Sequence, residues 1–428
     1  MKHPHYFYEH YKATYKIWFG KLFVPLHKSR KSFLRNITKY FLKESIKTIR
    51  KQSMILQKIS IVNYKNIEQE TLDFSPHINC FVGKNGQGKT NILDAVYYLS
   101  FCKSSTNPND TYNIRHGEEY FLLQGEYKND FDAIDKVSCS LKHGKRKSLK
   151  RNGKDLRKLS EHIGTIPIVM VCPSDQSFVE GGSEERRRLY DTIISQYDSY
   201  YLDSLMRYNK TLQQRNSLLK QEEGFDIGVM EVLEDMMSED ADYIYKARQR
   251  FTQEISPIVS DIYRKLCNTN DENIIIGYES HCDRGYLKPQ LVGWREKEKI
   301  VGYTLHGIHK DDMIFELNGY SVRREGSQGQ TKTFCIAVKL AQYLLLRGKG
   351  EMKVPILLLD DIFDKLDHGR VERIIEYVSQ NDFGQIFITD TDYVRLNKIL
   401  EQTPYSDYRF FEVEKGKTTT NIIHSHEA

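Results

Sequence analysis

Cysteine is sparse and shows no pairing pattern. The seven cysteines, Cys80, Cys102, Cys139, Cys172, Cys267, Cys282 and Cys335, are odd in number and scattered, and none belongs to a C-x-x-C pair. Neither a disulfide framework nor a zinc ribbon is implied, and a reducing, cytoplasmic setting is expected. Long apolar runs are missing too. Mean hydropathy is −0.58, and runs such as Val354–Leu359 fall far short of the ~20 residues that span a bilayer, which excludes an integral membrane protein. No internal repeat or low-complexity tract stands out. What remains is a chain of 428 residues with 39% hydrophobic content, enough for two or three domains with cores of their own.

The net charge of +5 is unevenly spread. Of 63 Lys and Arg and 58 Asp and Glu, residues 1–53 hold 13 and 2, a net +11, which leaves 50 and 56, a net −6, for residues 54–428. The basic character of the chain therefore belongs to its N-terminal extension, and overall charge is no argument for nucleic-acid binding. The extension reads as a basic arm, a targeting peptide or translation from upstream of the true start. The last, blander reading is favoured, because Met54 opens a clean strand pattern (Ile55–Ile61) while nothing before it resembles a signal-peptide core. Residues 1–53 are set apart from the fold.

From Met54 the pattern predicts strands over 55–62, 71–74 and 78–82, then a glycine-rich loop and an amphipathic helix from Thr90 to about Ser100. Strand-like stretches flank the basic segment 145–154, where Asn152-Gly153 marks a hairpin turn, and 166–171 reads as a buried strand. From Ser183 the period lengthens: Leu189, Ile193, Tyr197, Tyr201, Leu205, Tyr208 and Leu212 predict one long helix with an acidic first turn. Gly224 breaks it, and a second helical run to Leu266 returns toward it. Together they predict an antiparallel helical arm of about 80 residues, too short for an extended coiled coil. The fold class expected is α/β, with boundaries at 54–182 and 273–428 for the two parts of a head and 183–272 for a helical lobe inserted between them.

Gly83-Lys84-Asn85-Gly86-Gln87-Gly88-Lys89-Thr90 fits G-x-x-x-x-G-K-[ST] between a predicted strand and a predicted helix, the context in which this loop binds phosphates. Its glycines let backbone N–H groups curl around phosphate oxygens, and the helix N-terminus adds its positive dipole end. Lys89 would reach the β- and γ-phosphates, Thr90 would offer a hydroxyl to Mg²⁺, and Asn91 follows in the same turn. ATP and Mg²⁺ are the expected cofactors. Val354–Leu359 is an apolar strand that ends in Asp360-Asp361, with Asp360 placed to hold Mg²⁺ and Asp361 to orient an attacking water.

A third motif, Gly326-Ser327-Gln328-Gly329-Gln330, precedes an apolar helix (Thr331 to about Leu346) and lies about 30 residues before Asp360. This order resembles the signature loop of ABC-type ATPases. Ser327 with Gly329, Gln330 and the helix N-terminus forms a second anion site. In heads of that type the second site cannot reach the phosphates of its own chain, so two chains face each other around two ATP molecules.

Val62-Asn63-Tyr64-Lys65-Asn66, the 83–91 loop, Cys172-Pro173-Ser174-Asp175 with Arg186-Arg187-Arg188-Leu189-Tyr190-Asp191, the 326–330 loop and Leu357–Asp361 together closely resemble the bacterial RecF family, from Met54 almost to the C-terminus. The resemblance implies an ABC-type P-loop head related to SMC proteins, with a short second lobe in place of a long coiled coil. It also implies a weak, DNA-stimulated ATPase that acts in gap repair, replication restart and SOS induction. Double-stranded and gapped or junction DNA, an ATP-dependent homodimer, RecR and RecO are the implied partners. By position Asp367 matches the D-loop aspartate, Thr389 the γ-phosphate sensor region, and Asp175 or Gln176 the lid loop that contacts metal and water. The sequence departs from the family at Gly307-Ile308-His309-Lys310-Asp311-Asp312, where Gly-Pro-His-Arg-Asp-Asp is usual. Two further departures are Lys103-Ser104-Ser105-Thr106, which lacks the Ser-Phe-Arg of relatives, and Lys65 in place of Arg.

Asp361, Lys89 and Ser327 are thus the expected catalytic residues. For DNA the expected footprint is the basic segment 142–158, in particular Lys145, Arg146, Lys147, Lys150 and Arg151. It has nine Lys or Arg in 17 residues and no aromatic residue, which suits duplex phosphates better than stacked single strands. Arg186–Arg188 begin a helix and are expected to contact the core instead. Two rival readings are an SMC-like ATPase of DNA defence and a nucleotide-gated DNA-binding scaffold with incidental hydrolysis.

Overall fold

The computed structural model describes residues 54–425 apart from 130, 222–223, 270, 350–352, 364–365, 381–382 and 403–406, so the basic extension 1–53 lies outside the described residues. In chain order, short helical turns aside, the elements are β1 (Met54–Tyr64), β2 (Ile67–Asp73), β3 (Ile78–Val82), α1 (Lys89–Phe101), β4 (Tyr120–Asn129), β5 (Ile134–Lys142), β6 (Ser148–Arg151), β7 (Lys154–Asp155) and β8 (Ile168–Val171). A helical stretch follows: α2 (Ser183–Ile194), α3 (Ser199–Leu219) and α4 (Ile227–Cys267). The chain then runs β9 (Ile274–Glu279), α5 (Leu287–Val301), β10 (Asp312–Leu317), β11 (Tyr320–Ser321), α6 (Gln328–Gly348), β12 (Ile356–Leu359), α7 (His368–Gln380), β13 (Ile386–Asp390), α8 (Tyr393–Leu400), β14 (Asp407–Glu414) and β15 (Lys417–Ser425).

The central sheet has the order β15-β14-β3-β13-β12-β8, and its five strands from β14 to β8 are parallel. Both of its faces are covered, which is why its strands read as continuous apolar runs rather than alternating ones. Leu357 and Leu359 of β12 point into one core with the helices, while Ile356 and Leu358 point into the other. That second core is shared with α1 and an antiparallel sheet of order β2-β1-β4-β5-β6-β7. Gln385 stitches the two sheets together: its buried amide donates to the carbonyls of Leu56 and Ser75 and accepts from the Leu56 N–H at 2.9 Å.

The helical stretch departs from the expected single helix. It breaks after Ile194, because Gln196 leaves the helix to accept a hydrogen bond from the Ile168 N–H at 3.0 Å, and Asp198 restarts it as an N-cap, accepting from Tyr201 N–H at 2.9 Å. Neither Gln196 nor Asp198 lies on the periodic apolar face, so hydrophobic spacing runs through the break. Beyond it α3 and α4 pack antiparallel, with Asp198 against Tyr243, Arg207 against Asp240 and Arg215 against Glu234. Arg215, Glu234 and Glu298 are all fully buried, and Arg215 joins both carboxylates at 3.0 and 2.6 Å, pinning α3, α4 and α5 in one register. The Asn-Gly turn appears as expected, with Asn152 and Gly153 at φ 50° and 78° between β6 and β7. The hairpin's strands, however, lie within the basic segment rather than beside it.

Candidate functional site

The loop 83–88 joins β3 to α1, and two of its glycines are required by close backbone approach. A β-carbon at Gly83 (φ 151°) would lie 2.4 Å from the carbonyl oxygen of Val413, and one at Gly88 (φ 111°) would lie 2.7 Å from the Asn66 amide. Gly88 offers no side-chain cap to α1, so the first-turn amides remain available to an anion. Lys89 folds over the loop and donates to the carbonyls of Gly83 (2.6 Å) and Lys84 (3.0 Å). Burial lowers its ammonium below the usual lysine range, opposed by Asp361, Asp360 and Asp390.

Residues distant in sequence brace this loop. Asn66 donates to the carbonyl of Gln87 and accepts from Asn91, while the β14–β15 turn donates to Gln87 through Lys415 N–H and Gly416 N–H, each at 2.8 Å. No local motif marks Lys415-Gly416, although Lys415 at φ 49° and Gly416 at φ 78° form a tight turn.

β3 and β12 flank β13, which carries the end of β12 to the start of α1. Oδ1 of Asp360 accepts from Thr90 Oγ1 at 3.0 Å and from Thr389 Oγ1 at 2.9 Å. Thr389 in turn accepts from the N–H of Asp361 at 2.8 Å, and Asp361 takes the left-handed conformation (φ 48°). Burial pushes the Asp360 carboxyl up to about 6, opposed by the two threonine hydroxyls and aided by Asp361. Thr90, Asp360, Asp361 and Lys89 are thus brought together as expected, and Thr389 ties the Asp360 carboxylate to the backbone N–H of Asp361.

The 326–330 loop is built as a capping box. Ser327 Oγ accepts from Gln330 N–H at 3.2 Å, and Gln330 Oε1 accepts from Ser327 N–H at 2.9 Å, so α6 starts at Gln328, three residues before its expected start. Gln330 also donates to Glu272 at 2.6 Å. Arg370 lies against Gly329, where a β-carbon would meet its Nη1 at 2.7 Å, and pairs with Asp367 at 3.2 Å. Ser327, Gly329 and Asp367 thus share one neighbourhood. Among the described residues no hydrogen bond or ion pair joins Ser327, Gly329 or Gln330 to the 83–90 loop.

Asp175 is already committed. It pairs with Lys339 at 2.7 Å and accepts from the Cys172 N–H at 2.8 Å, while the half-buried Gln176 side chain has no hydrogen-bond partner among the described residues. Arg186 and Arg187 do contact the core: Arg186 grips Asp312 with two hydrogen bonds of 2.6 and 2.9 Å, and Arg187 donates to the Asp311 carbonyl at 2.6 Å. Arg188 pairs at the surface with Glu184 and Glu185. His309 accepts or donates at Tyr208 Oη (2.8 Å), and burial pulls its imidazole down to about 4. Lys310 is exposed, 5.5 Å from the Tyr303 ring centre, so its difference from arginine leaves the buried network untouched.

The other two departures from the family pattern meet each other. Lys65 reaches Asp94 at 2.5 Å and Thr106 at 2.7 Å, and Asp94 also accepts from Tyr64, Ser104 and Ser105. A shorter cation and small hydroxyls together fill the space around one buried carboxylate.

The basic segment is less free than its composition implies. Lys147 turns inward to pair with Asp110 and donate to the Cys102 carbonyl, and Arg151 pairs with Asp135 at 2.5 Å. Lys150 is exposed and 3.7 Å from Asp155. Lys145 and Arg146 are exposed at the β5–β6 turn with no side-chain partner among the described residues.

The sequence pattern of the RecF/RecN/SMC N-terminal domain matches residues 55–405. A DNA replication and repair protein RecF of Phocaeicola vulgatus is 50% identical over 366 residues, covering 86% of this chain and 98% of that protein. The RecF of Bacteroides fragilis is 49% identical over 363 residues, covering 85% and 97%. Among solved structures, the recombination mediator protein RecF with ATP, of the RecFOR pathway, superposes with a TM-score of 0.77 at 28% identity, covering 86% of this chain and 98% of that one. An SMC head bound to the winged-helix domain of ScpA shares the fold, with a TM-score of 0.54 at 16% identity, covering 87% and 98%. Among the described residues no helix is long and apolar enough to cross a membrane.

Proposed function

The chain belongs to the RecF family of ABC-type, SMC-like ATPase heads, and on that premise we propose that it is an ATP-dependent DNA-binding protein of recombinational repair and replication restart. ATP drives two chains together around DNA, and slow, DNA-stimulated hydrolysis releases them. The supporting observation is the separation of two anion sites within one chain: Gly83–Thr90 with Asp360, and the Ser327-capped N-terminus of α6. Each is built to meet phosphate, and no bond joins them among the described residues. A partner chain brings the second site to the first.

Thr90 and Asp360 fit a divalent cation, since two hard oxygen donors converge within 3.0 Å at the mouth of the phosphate loop. Mg²⁺ bound there supplies charge neutralisation for the β- and γ-phosphates. Lys89 leaves the loop carbonyls to meet the same phosphates. Asp361, fixed by Thr389, orients water for in-line attack and accepts its proton, while the partner's signature loop closes over the γ-phosphate. Gln176 belongs to the same proposal as the lid residue, as does the division into a head (54–182 and 273–428) and an inserted lobe (183–272). RecR and RecO are the proposed protein partners at gapped DNA.

The test is sedimentation of the full chain with ATP and Mg²⁺, with and without gapped duplex. Wild type should dimerise only with ATP, Lys89→Ala should not bind it, and Ser327→Arg should bind it yet stay monomeric. Dimerisation indifferent to nucleotide and to Ser327 would sink the shared-site mechanism.

A further inference from the structure

A cavity of about 450 Å³ lies between the end of α1 and helices α2 and α3, within the size range of small-molecule sites. Phe101, Leu202, Leu205 and Ile308 give it apolar walls, and Thr192 and Ser195 add hydroxyls. Four cations also line it, and their partners can be counted. Arg248 is matched by Asp191 and Asp311, each at 2.8 Å, and Arg188 by Glu184 and Glu185. Lys103 and Arg187 are left over. Lys103 makes no hydrogen bond or ion pair among the described residues, and its ammonium lies 5.9 Å from the Phe101 ring centre. Arg187 commits one amino group to the Asp311 carbonyl, and the rest of its fork has no partner there.

The electrostatics agree with this count. Burial and then Arg188 lower the Lys103 ammonium below its ordinary range, with Asp191 too weak to restore it. Burial and then Arg248 likewise lower the Arg187 guanidinium, against the pull of Asp311 and Asp191. Lys103 at the cavity mouth and the free edge of Arg187 thus lack an ion pair of their own among the described residues, because the nearby Asp191 and Asp311 are committed to Arg248, an arrangement that an anion relieves.

We propose that this cavity is a second phosphate site, separate from Gly83–Thr90, that takes a small phosphate ester bearing a ring, of the nucleoside monophosphate class. Lys103 and the free edge of Arg187 hold the phosphate, as a point charge and a planar fork respectively. The ring lies along Phe101 and the leucines of α3. A concave site with apolar walls suits such a molecule better than a duplex, whose phosphates lie on a convex surface. Because the site joins the loop after α1 to α2 and α3, its occupant bears on how the helices sit against the phosphate-binding half.

The experiment uses the full chain carrying Lys89→Ala, which removes the first phosphate site and makes the result independent of the ATP-dimer reading. Equilibrium dialysis with labelled AMP, without Mg²⁺, should show one AMP per chain, displaced by inorganic pyrophosphate. Lys103→Glu should weaken it by about tenfold or more, the scale of one charge-assisted hydrogen bond. Lys103 is exposed, so the melting temperature of that variant should match its parent; Arg187→Lys should weaken AMP binding less. Displacement by pyrophosphate but tighter binding of AMP assigns both phosphate and ring recognition, and equal binding assigns the phosphate alone. No AMP or pyrophosphate bound, or binding unchanged by Lys103→Glu, overturns the site.

Discussion

The hydroxyl of Thr90 donates to Oδ1 of Asp360 across 3.0 Å, although the two residues are 270 positions apart. The bond exists because β3 and β12 flank β13 in one parallel sheet, so the turn after the first strand and the end of the second open on the same edge. Open α/β sheets place ligands there, beyond the carboxyl ends of their strands.

Asp360 gives the unliganded chain a pH signature. Its carboxyl is raised to about 6 in the fold, mainly by burial, against about 4 when unfolded. The folded state therefore binds more protons between those values. The contribution is fully present below about 4 and is lost as pH rises through 6, by roughly 3 kcal/mol. Asp360→Asn should flatten this dependence, making the variant more stable than wild type near pH 7.5 without nucleotide, while abolishing Mg²⁺-dependent ATP turnover. Urea melts of both proteins at pH 5 and 7.5 check the sign; a variant less stable at pH 7.5 would contradict it.

The observed cap role of Ser327 and its proposed role in a partner's site are separable by substitution. Ser327→Ala removes the cap of α6 and should cost about 1 kcal/mol. Ser327→Asp keeps a capping oxygen and the stability of the fold, but sets a carboxylate where a partner's γ-phosphate is to dock, so ATP-dependent association should be lost. Thermal melts beside sedimentation decide the matter, and an Asp variant that still dimerises would reduce Ser327 to a helix cap.

The lid position divides in the same manner. Asp175→Asn leaves the Lys339 ammonium without its partner and should lower stability by about 1–3 kcal/mol. Gln176→Ala should leave stability unchanged and slow ATP turnover at least tenfold, about 1.4 kcal/mol of barrier. Turnover and melting measured on both variants test this; a fully active Gln176→Ala would remove that residue from the site.

For DNA, Lys145→Glu with Arg146→Glu should weaken duplex binding and reduce the salt slope by about 2, with no change in melting. Lys147→Met should act the opposite way, costing stability because its ammonium is turned in toward Asp110 and the Cys102 carbonyl. Salt titrations of duplex binding separate the two; equal losses of binding from both changes would contradict the division.

What was legible in the sequence follows from how local each signal is. Gly83–Thr90 and Leu357–Asp361 are motifs whose chemistry resides in contiguous residues, and the structure brings them together as expected. The capping box at Ser327 and Gln330 is also present in the spacing, but the polar first turn of α6 carries no apolar periodicity and so hides the true helix start at Gln328. The break at Ile194 was not legible, since Gln196 and Asp198 answer to Ile168 and Tyr243, far along the chain. The same holds for Lys415 and Gly416, which brace Gln87 from more than 300 positions away. Lys147 shows the limit of composition: a run of basic residues does not reveal which one turns inward against a half-buried acid.

The shared-site claim is tested most directly by mixing chains. Lys89→Ala spoils one phosphate loop and Ser327→Asp one signature loop. Their heterodimer contains one composite site with both faults and one with neither. Each variant alone should fail to associate or to turn over ATP, and the mixture should recover association and up to about half of wild-type activity, the share of intact sites when only mixed dimers form. A mixture as inert as its components would show that both loops serve the nucleotide of their own chain, and would contradict the account.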